Sequence, residues 1–373
     1  MKQRVLITGG AGFIGSHLTD HLLNEGYPVR ILDSLEPQVH PSGKRPDYLS
    51  KEAELIIGSI EDRKSLVAAL EGCDSIIHLA SIVGVGQSMY EIERYTKANV
   101  LGTASLLQTL VDGKRRPSKL IVASSMSLYG EGQYRCASCE KDRTPALRPI
   151  EQLEKRDWEP RCEDCQEPLK ATGTPETKTP NPTSVYAINK RDQEEMCLAI
   201  GRAYKIPTVA LRFFNAFGSR QALSNPYTGV AAIFAGRLLN KRAPILFEDG
   251  LQSRDFLHVS DLVRGIRLAM ESDTAYEIAN LGSGNPTTVK EIARSLSEKI
   301  GFSTPPIIEN KFREGDTRHC FADASKARKL FGFKPSLSFS EGLEELLAWM
   351  ETQTPEDRGD AAINELNARG LIR

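Results

Sequence analysis

A tyrosine and a lysine four residues apart, Tyr186 and Lys190 in the stretch YAINK, are the pair in this sequence best suited to acid-base chemistry. On a helix this spacing places two side chains one above the other on one face. A tyrosine with its ordinary pKa of about 10 is a poor base at neutral pH unless a cation stabilises its phenolate. The spacing also arises by chance on solvated helices. It gains weight from the stretch SSMSLYG (124–130), where a hydroxyl at a predicted strand end could polarise a substrate oxygen.

Three glycines, Gly9, Gly12 and Gly15, follow the predicted strand RVLIT (4–8) and open a predicted helix. Glycines there permit a tight turn, let a pyrophosphate approach the backbone and let helix and strand pack closely. A Gly-x-x-Gly-x-x-Gly triplet alone is weak evidence. Its position after the first strand, with Asp33 ending the second, predicts a dinucleotide site. Asp33 can accept hydrogen bonds from a ribose diol and is followed by Ser34 rather than Arg, which favours NAD over NADP.

Four of the seven cysteines form two Cys-x-x-Cys pairs within one short stretch. They are Cys136, Cys139, Cys162 and Cys165, and their spacing is close to that of four-thiolate zinc ribbons. The surrounding residues are rich in proline and charge, so burial alone could not order them, whereas zinc would supply folding free energy. Four thiolates leave no open coordination position, so the sequence predicts a structural zinc.

The elements that must position these groups alternate between short apolar strands and amphipathic helices throughout the N-terminal half. This pattern predicts an α/β fold, a doubly wound parallel sheet of the Rossmann type with a smaller C-terminal substrate lobe. It includes one long helix from about residue 88 to residue 111. The predicted units are residues 1–130 and 178–215 with a returning part near 255–280, the inserted cysteine segment 131–177, the lobe 216–254 and 281–350, and a polar tail 355–373.

Composition limits the classes of function. The chain has 373 residues and a formal net charge of −1, and 40% of its residues are hydrophobic. It therefore has no broad electrostatic reason to bind nucleic acid or an anionic membrane, and no basic run accompanies the cysteines. With neither a signal peptide nor a membrane span visible, we expect a cytoplasmic protein. Thiols stay reduced there, which disfavours disulfides between the four cysteines.

Taken in order, seven stretches make the sequence resemble the extended short-chain dehydrogenase/reductase family of nucleotide-sugar epimerases and dehydratases. They are TGGAGFIG, HLA, NVLGT, SSMSLYG, YAINK, LRFFNAFG and RDFLHV. The resemblance implies Ser125 as the catalytic hydroxyl, Tyr186 as base and acid, and Lys190 as the residue that binds the nicotinamide ribose. The other cofactor-binding residues that it implies are Gly9, Gly12, Phe13, Ile14, Gly15, Asp33, Ser59, Ile60, Leu79, Ala80, Asn99 and Phe213. Ser59 departs from the Asp that many relatives carry beside the adenine.

The residues after Ser125 distinguish among the reactions of this family. In its 4,6-dehydratases an Asp-Glu pair follows the hydroxyl residue, and its decarboxylases tend to carry Glu at the second of these positions. Here Met126 and Ser127 follow, and neither side chain can transfer a proton at neutral pH. What remains is a 4-epimerase that uses NAD as a retained catalyst. A dehydratase and a non-catalytic NAD-sensing protein are the less favoured alternatives.

The resemblance also implies a nucleotide-sugar site. Arg254 and Arg313 match family positions that hold phosphates, Asp316 could bind the nucleotide ribose, and Asn215 could donate to the sugar or its phosphate. Residues 81–103 with the cysteine segment are most similar to the branch that interconverts dTDP-L-rhamnose and dTDP-6-deoxy-L-talose. A UDP-glucose or UDP-glucuronate 4-epimerase is the alternative. Val85 and its two predecessors carry no charge to meet a C6 carboxylate.

Three expectations concern the larger assembly. The cysteine segment begins after Ser125 and ends before Tyr186, so we expect it to form a flap, held together by zinc, at the mouth of the sugar site. The resemblance implies a homodimer formed by the long helix and the Tyr186 helix. The tail is polar with a weakly apolar end, and either disorder or a docked terminal helix is compatible with it.

Overall fold

The strands of the N-terminal half alternate with helices, as the hydrophobic pattern predicts. The computed structural model describes residues 2–227, 229–354 and 356–373. Numbered in chain order, its strands are Val5–Thr8 (β1), Val29–Asp33 (β2), Glu54–Ile57 (β3), Ser75–His78 (β4), Lys119–Ser125 (β5), Gln133–Arg135 (β6), Asp142–Arg143 (β7), Lys170–Thr172 (β8), Thr208–Phe213 (β9), Asn215–Phe217 (β10), Ile245–Leu246 (β11), Ser253–His258 (β12), Glu277–Leu281 (β13), Pro286–Thr288 (β14), Ile307–Ile308 (β15) and His319–Cys320 (β16).

The helices are numbered in the same way. They are Phe13–Asn24 (α1), Arg63–Leu70 (α2), Val85–Ser88 (α3), Ile92–Thr96 (α4), Gly102–Asp112 (α5), Ile150–Glu154 (α6), Val185–Ala203 (α7), Val230–Leu239 (α8), Val259–Glu271 (α9), Val289–Ile300 (α10), Ser325–Phe331 (α11), Phe339–Met350 (α12) and Gly359–Ala368 (α13). A π-helical turn, Lys97–Leu101, joins α4 to α5, and a 3₁₀ turn, Met126–Tyr129, follows β5.

The main sheet has seven parallel strands in the order β13-β9-β5-β4-β1-β2-β3. The chain winds outward from β1 in one direction and then, from β4, in the other. This order is that of a doubly wound sheet, whose crevice for a ligand lies beyond the carboxyl ends of the strands at the reversal between β1 and β4. The predicted α/β fold with its Rossmann sheet is therefore confirmed.

Apolar side chains cover both faces of this sheet, as expected for parallel strands. Val5 and Ile7 of β1 belong to the cluster that α1 and α9 cover, whereas Leu6 belongs to the opposite cluster under α2, α5 and α7. All three side chains are fully buried. Two helical layers therefore enclose the sheet, and the carboxyl ends of its strands face the crevice.

A smaller lobe stands beyond that edge. In it β12 lies between β10 and β14 and also pairs with β16, while β11 pairs with β15. Helices α8, α10 and α12 share a buried core of their own, which includes Phe217, Phe256 and Leu296. Strand β13 pairs with β9, so the chain returns to the main sheet after β12. The lobe supplies the wall that faces the crevice.

The helix predicted from about residue 88 to residue 111 is wrong as a single element. The structure instead contains α3, α4, the π-helical turn and α5. The apolar spacing continues through the break, which is why the pattern hides it. The break leaves the Ser88 hydroxyl free to accept the backbone N–H of Tyr186 at 3.0 Å.

The tail forms a docked helix, α13, rather than a disordered segment. Its buried residues include Ala362 and Leu366. Throughout the described ranges, no helix combines the length and the apolar character that a membrane crossing requires.

Candidate active site

A single cavity of about 1400 Å³ occupies the crevice between the main sheet and the lobe. Nearly all residues that the sequence assigns to cofactor and substrate line it. From the cofactor set these are Gly9, Gly12, Phe13, Ile14, Gly15, Asp33, Ser59, Ile60, Leu79, Ala80, Tyr186, Lys190 and Phe213. From the substrate set they are Val85, Ser125, Asn215, Arg254, Arg313 and Asp316. The fold thus brings residues from far apart in the chain to one continuous space.

Asn99 is placed differently. It is fully buried and does not belong to the cavity wall that the described residues form. Its Oδ1 accepts the backbone N–H of Ile82 at 2.7 Å and the hydroxyl of Ser81 at 3.1 Å, and its Nδ2 donates to the Ile82 carbonyl. Asn99 therefore holds the loop that forms one side of the cavity but does not itself line the cavity.

The glycine turn between β1 and α1 leaves room for a ligand. Gly9 has a φ of +72°, and a Cβ added there would lie 2.8 Å from the Ala80 nitrogen. A Cβ on Gly15 would lie 2.3 Å from the Gly9 oxygen, so close packing of the turn requires both glycines. At Gly12 the nearest atom would be 3.6 Å away, which is ordinary contact. The space beside Gly12 opens to the cavity at the amino end of α1, where a helix favours phosphate.

Asp33 ends β2 with its carboxylate at this turn. Oδ2 accepts the backbone N–H of Ala11 and Oδ1 that of Leu35, both at 2.9 Å. Each carboxylate oxygen has a further lone pair with which to accept a hydroxyl. The side chain is therefore fixed in direction and can still accept from a ribose diol, as the sequence predicts.

Ser125, the last residue of β5, is oriented by a neighbour that the sequence interpretation did not use. Its Oγ accepts hydrogen bonds from the Ser127 N–H at 3.1 Å and the Ser127 hydroxyl at 2.9 Å. A hydroxyl has two acceptor sites and one donor. With both acceptor sites occupied, Ser125 can only donate toward the cavity. The stretch SSMSLYG contains the signal for this, since position i+2 of a turn often bonds back to a hydroxyl.

Tyr186 is the second residue of α7, whose amino end Ser184 caps by accepting the Ala187 N–H. Burial raises the pKa of the Tyr186 phenol to about 12, and the Ser125 hydroxyl opposes this shift. The Ser125 hydroxyl thus favours the phenolate, but burial outweighs this effect. The pKa shift agrees with the predicted pairing of these two side chains at one point of the cavity.

Lys190 lies almost completely buried below Tyr186 on α7. Burial lowers the pKa of its ammonium group to about 7. Within the described hydrogen bonds Lys190 Nζ donates to Gln193 Oε1 at 2.9 Å rather than to Tyr186, and Gln193 in turn donates to Thr103. Gln193 stands three residues after Lys190 on the same helix face, and this spacing is the signal that could have identified it.

The lobe end of the cavity carries polar atoms that lack partners. The side-chain oxygens of Asn215 and Gln252 and the Nε of Arg313 are buried and make no hydrogen bond within the described part of the chain. All three residues line the cavity. Buried polar atoms are normally paired, so their convergence indicates a polar ligand. Gln252 was not predicted from the sequence, where nothing distinguishes it from an ordinary surface glutamine.

Asp316 lies between the two predicted phosphate-binding arginines. Its Oδ1 is 3.4 Å from Arg254 and its Oδ2 is 3.1 Å from Arg313. Burial acts to raise the pKa of Asp316, but Arg313, Arg254 and Arg148 together hold it below the ordinary value. Arg254 is fixed further by donating to the Thr317 carbonyl at 2.6 Å. The arrangement presents two oriented guanidinium groups at one end of the cavity.

The cysteine segment does not form the expected flap at the cavity mouth. The described cavity wall contains none of residues 131–177. The segment instead packs behind the wall, where Trp158 and Leu153 bury against Phe312. Burial against this distant phenylalanine, which the local sequence could not reveal, fixes the segment's position.

Ion pairs join the cysteine segment to Arg318, two residues after Asp316. Arg318 pairs with Glu159 of the segment at 2.6 Å and with Glu248 at 2.8 Å, and Arg148 of the segment pairs with the same Glu248 at 2.9 Å. Arg148 also donates to the Asp316 carbonyl at 3.0 Å. Charges this deep are tolerated only when they are paired. The segment therefore braces the loop that carries Arg313 and Asp316.

The four paired cysteines converge on one point of the segment. Their sulfur atoms all lie within 4.8 Å of one another, with Cys136 and Cys165 at 3.5 Å and Cys139 and Cys162 at 3.9 Å. A tetrahedral zinc with Zn–S bonds of about 2.3 Å requires sulfur separations of about 3.8 Å. Strands β6, β7 and β8 form a small antiparallel sheet that carries this cluster. The donor set and spacing fit a structural zinc.

Comparisons with known proteins agree with this geometry. Residues 5–152 and 162–282 match the model of the NAD dependent epimerase/dehydratase family. A dTDP-L-rhamnose 4-epimerase of Burkholderia thailandensis is 34% identical over 355 residues, which cover 93% of this chain and 95% of that protein.

Two solved structures are also similar. A UDP-glucose 4-epimerase from Thermotoga maritima with UDP-glucose has a TM-score of 0.76 at 31% identity, covering 94% of this chain and 99% of that one. A UDP-glucuronic acid 4-epimerase from Bacillus cereus, in complex with UDP-glucuronic acid and NAD, has a TM-score of 0.75 at 26% identity, with coverage of 94% and 99%.

Proposed function

The chain belongs to the NAD dependent epimerase/dehydratase family, and from this premise we propose that it is a nucleotide-sugar 4-epimerase with tightly held NAD. It inverts C4 through a transient 4-keto sugar. The observation that carries the proposal is the placement of Ser125, Tyr186 and Lys190 on one cavity, with Met126 and Ser127 in place of a second acid-base pair. Oxidation at C4 has its proton-transfer groups, whereas elimination of water lacks them.

The residues at the sheet end act on the sugar hydroxyl. Ser125 donates a hydrogen bond to the C4 oxygen, and Tyr186 accepts the proton of the C4 hydroxyl and later returns it. The Lys190 ammonium stabilises the phenolate of Tyr186 and binds the nicotinamide ribose. NAD, held by the Gly12 turn through its pyrophosphate and by Lys190 through its nicotinamide ribose, would accept the hydride from C4 and return it to the opposite face. The large cavity leaves the keto sugar room to turn between the two steps.

The residues at the lobe end hold the nucleotide. Arg254 and Arg313 bind the pyrophosphate, because guanidinium forks match phosphate oxygens. Asp316 binds the ribose and Asn215 binds the sugar or its phosphate. A sugar hydroxyl that donates to Asn215 would satisfy the amide oxygen that lacks a partner. The similarity to the Burkholderia enzyme supports dTDP-L-rhamnose and dTDP-6-deoxy-L-talose as the substrate pair. UDP-glucose and UDP-glucuronate, the ligands of the two similar structures, are the alternative.

The test is incubation of the purified protein with a panel of dTDP- and UDP-sugars while C4 inversion is followed by NMR. We expect conversion between dTDP-L-rhamnose and its 4-epimer without added NAD, and no conversion by Tyr186→Phe. Loss of the C6 oxygen from a dTDP-hexose would identify a dehydratase instead. An unchanged rate in Tyr186→Phe would refute the assigned base.

The proposal includes a structural zinc held by Cys136, Cys139, Cys162 and Cys165. The sulfur separations support it, and the zinc would close the loops of the segment that braces Arg313 and Asp316. Elemental analysis of protein never exposed to chelator should find about one zinc per chain, and none in a Cys162→Ser, Cys165→Ser double variant. Native protein with far less than one zinc per chain would exclude the site.

A further inference from the structure

The C-terminal segment 356–373 lies across the cavity and is fastened at both of its ends. Near its beginning, Asp360 pairs with Arg237 at 2.6 Å and with Arg242 at 2.9 Å. At its end, Arg373 and Phe312 exchange two backbone hydrogen bonds of 2.8 and 2.9 Å. The second anchor adjoins Arg313, the proposed phosphate ligand. The segment therefore has a fixed course over the nucleotide-sugar site.

Helix α13 turns its apolar face toward the cavity. Ala362, Ile363 and Leu366 line the cavity, followed by Leu371 after the helix. Leu366 is buried, whereas Asn364 and Asn367 on the other side of α13 are exposed. The spacing of the lining residues is that of one helix face. Part of the cavity wall is thus made of alkyl groups that the tail alone supplies.

This face packs against α3, the short helix whose Val85 lines the same cavity. A Cβ added to Gly86 would lie 3.4 and 3.5 Å from the two methyl groups of Leu366. Gly86 belongs to α3, and Ser88 of the same four-residue helix accepts the backbone N–H of Tyr186 at 3.0 Å. Helix α3 therefore contacts both Leu366 and the amino end of the Tyr186 helix. The tail thus lines the part of the cavity beside α3, where Val85 is a predicted sugar-binding residue.

We propose that Ile363 and Leu366 contact the sugar and determine its class, favouring a hexose with a methyl group at C5. The inference rests on the proposed 4-epimerase function. A methyl group gains from contact with the alkyl wall, whereas a buried carboxylate needs a charged partner. A hydroxymethyl group is rejected less strongly, because an apolar pocket discriminates against an added hydroxyl by roughly a hundredfold at most. The tail thus selects 6-deoxyhexoses over hexoses with a C6 hydroxyl and over uronates.

The test compares Leu366→Ala and Ile363→Ser with wild type, and Asn367→Ala on the exposed face serves as the matched control. Epimerisation of dTDP-L-rhamnose and of dTDP-glucose is measured together with the affinity for NAD. We expect both cavity variants to raise the KM for dTDP-L-rhamnose roughly tenfold and to lower its preference over dTDP-glucose. NAD affinity and the control should stay at wild-type values.

Binding measurements keep this inference separate from the proposed reaction. If wild type inverts no sugar at C4, the proposed function fails, but calorimetry with the same two nucleotide sugars still reports on the tail. Retention of the wild-type preference by both folded cavity variants, in turnover or in binding, overturns the inference. If Leu366→Ala fails to fold, loss of the preference in Ile363→Ser alone still supports the inference.

Discussion

At the scale of single residues, Ser127 sets the orientation of the Ser125 hydroxyl. Ser127 occupies both acceptor sites of the Ser125 oxygen. Removal of the Ser127 hydroxyl empties one of these sites and lets the Ser125 hydroxyl rotate. One such hydrogen bond contributes about 0.5–1.5 kcal/mol. We expect Ser127→Ala to lower kcat roughly three- to tenfold with little change in KM, measured by the NMR assay of C4 inversion.

Two companion variants define what this result means. Ser127→Thr keeps the hydroxyl and should retain most of the activity, whereas Ser125→Ala removes the donor itself and should cost roughly a hundredfold or more. If Ser127→Ala keeps wild-type activity, or if Ser127→Thr loses as much activity as Ser127→Ala although it retains the hydroxyl, Ser127 is not a positioning residue.

Lys190 makes stability depend on pH. Its pKa falls from an ordinary value of about 10.4 in the unfolded chain to about 7 in the folded protein. Between these values the unfolded chain binds a proton that the folded chain does not, so the free energy of unfolding rises with pH from about 7 upward. We expect the free energy of unfolding of Lys190→Met to rise less steeply with pH than that of wild type. The substitution should also stabilise NAD-free protein at pH 7 by about 1–2 kcal/mol.

Urea unfolding at pH 7, 8 and 9 measures this effect. Burial also lowers the pKa of Lys119 and of Lys178, so part of the pH dependence should survive in the variant. The exposed Lys51 provides the control, because Lys51→Met should leave the dependence as it is in wild type. Parallel curves for wild type and Lys190→Met would mean that Lys190 is charged in the folded protein.

At the scale of elements, the cysteine segment should affect nucleotide binding and leave cofactor binding intact. It contacts the loop of Arg313 and Asp316 through Arg148 and Glu159, and the described cavity wall excludes it. We expect the Cys162→Ser, Cys165→Ser double variant to bind dTDP roughly tenfold more weakly in calorimetry. The exposed substitution Lys155→Ala should change nothing. An equal loss of NAD affinity would show that the segment supports the whole fold instead.

The elements themselves were predictable where their signal is local. Strand and helix alternation, the glycine turn and the position of Asp33 follow from short-range pattern, and the structure agrees with each. The break of the helix near residue 88 was not predictable, because the apolar spacing continues through it and the contact of Ser88 with Tyr186 joins residues 98 positions apart. The docking of Trp158 on Phe312 depends on a partner far along the chain.

The site was predictable to a similar degree. Motif residues such as Ser125 and Arg254 carry recognisable neighbours, and all but Asn99 of the predicted cofactor and substrate residues line the cavity. Gln252 and Leu366 have no such context. Their place in the wall arises from the lobe and the tail closing over the sheet, which no local pattern encodes.

At the scale of the whole molecule, exposed apolar side chains on adjoining elements mark the surface that the predicted homodimer would use. Leu101 on the π-helical turn is 53% exposed and Ile188 on α7 is 46% exposed. The π-helical turn packs directly against α7, so both side chains belong to adjoining surfaces. Apolar surface of this kind is typical of protein interfaces. The homodimer implied by the family resemblance would bury it.

The dimer can be tested by placing charge in that surface. We expect wild type to sediment as a dimer at micromolar concentration, and the Leu101→Glu, Ile188→Glu double variant to sediment as a monomer, because two carboxylates cannot be buried there without partners. Ile307→Glu introduces the same charge on the exposed β15 of the lobe and should stay dimeric. Tyr186 lies on the same helix as Ile188, so the monomer should also lose activity as α7 loses its support. A double variant that remains dimeric would place the interface on another face of the molecule.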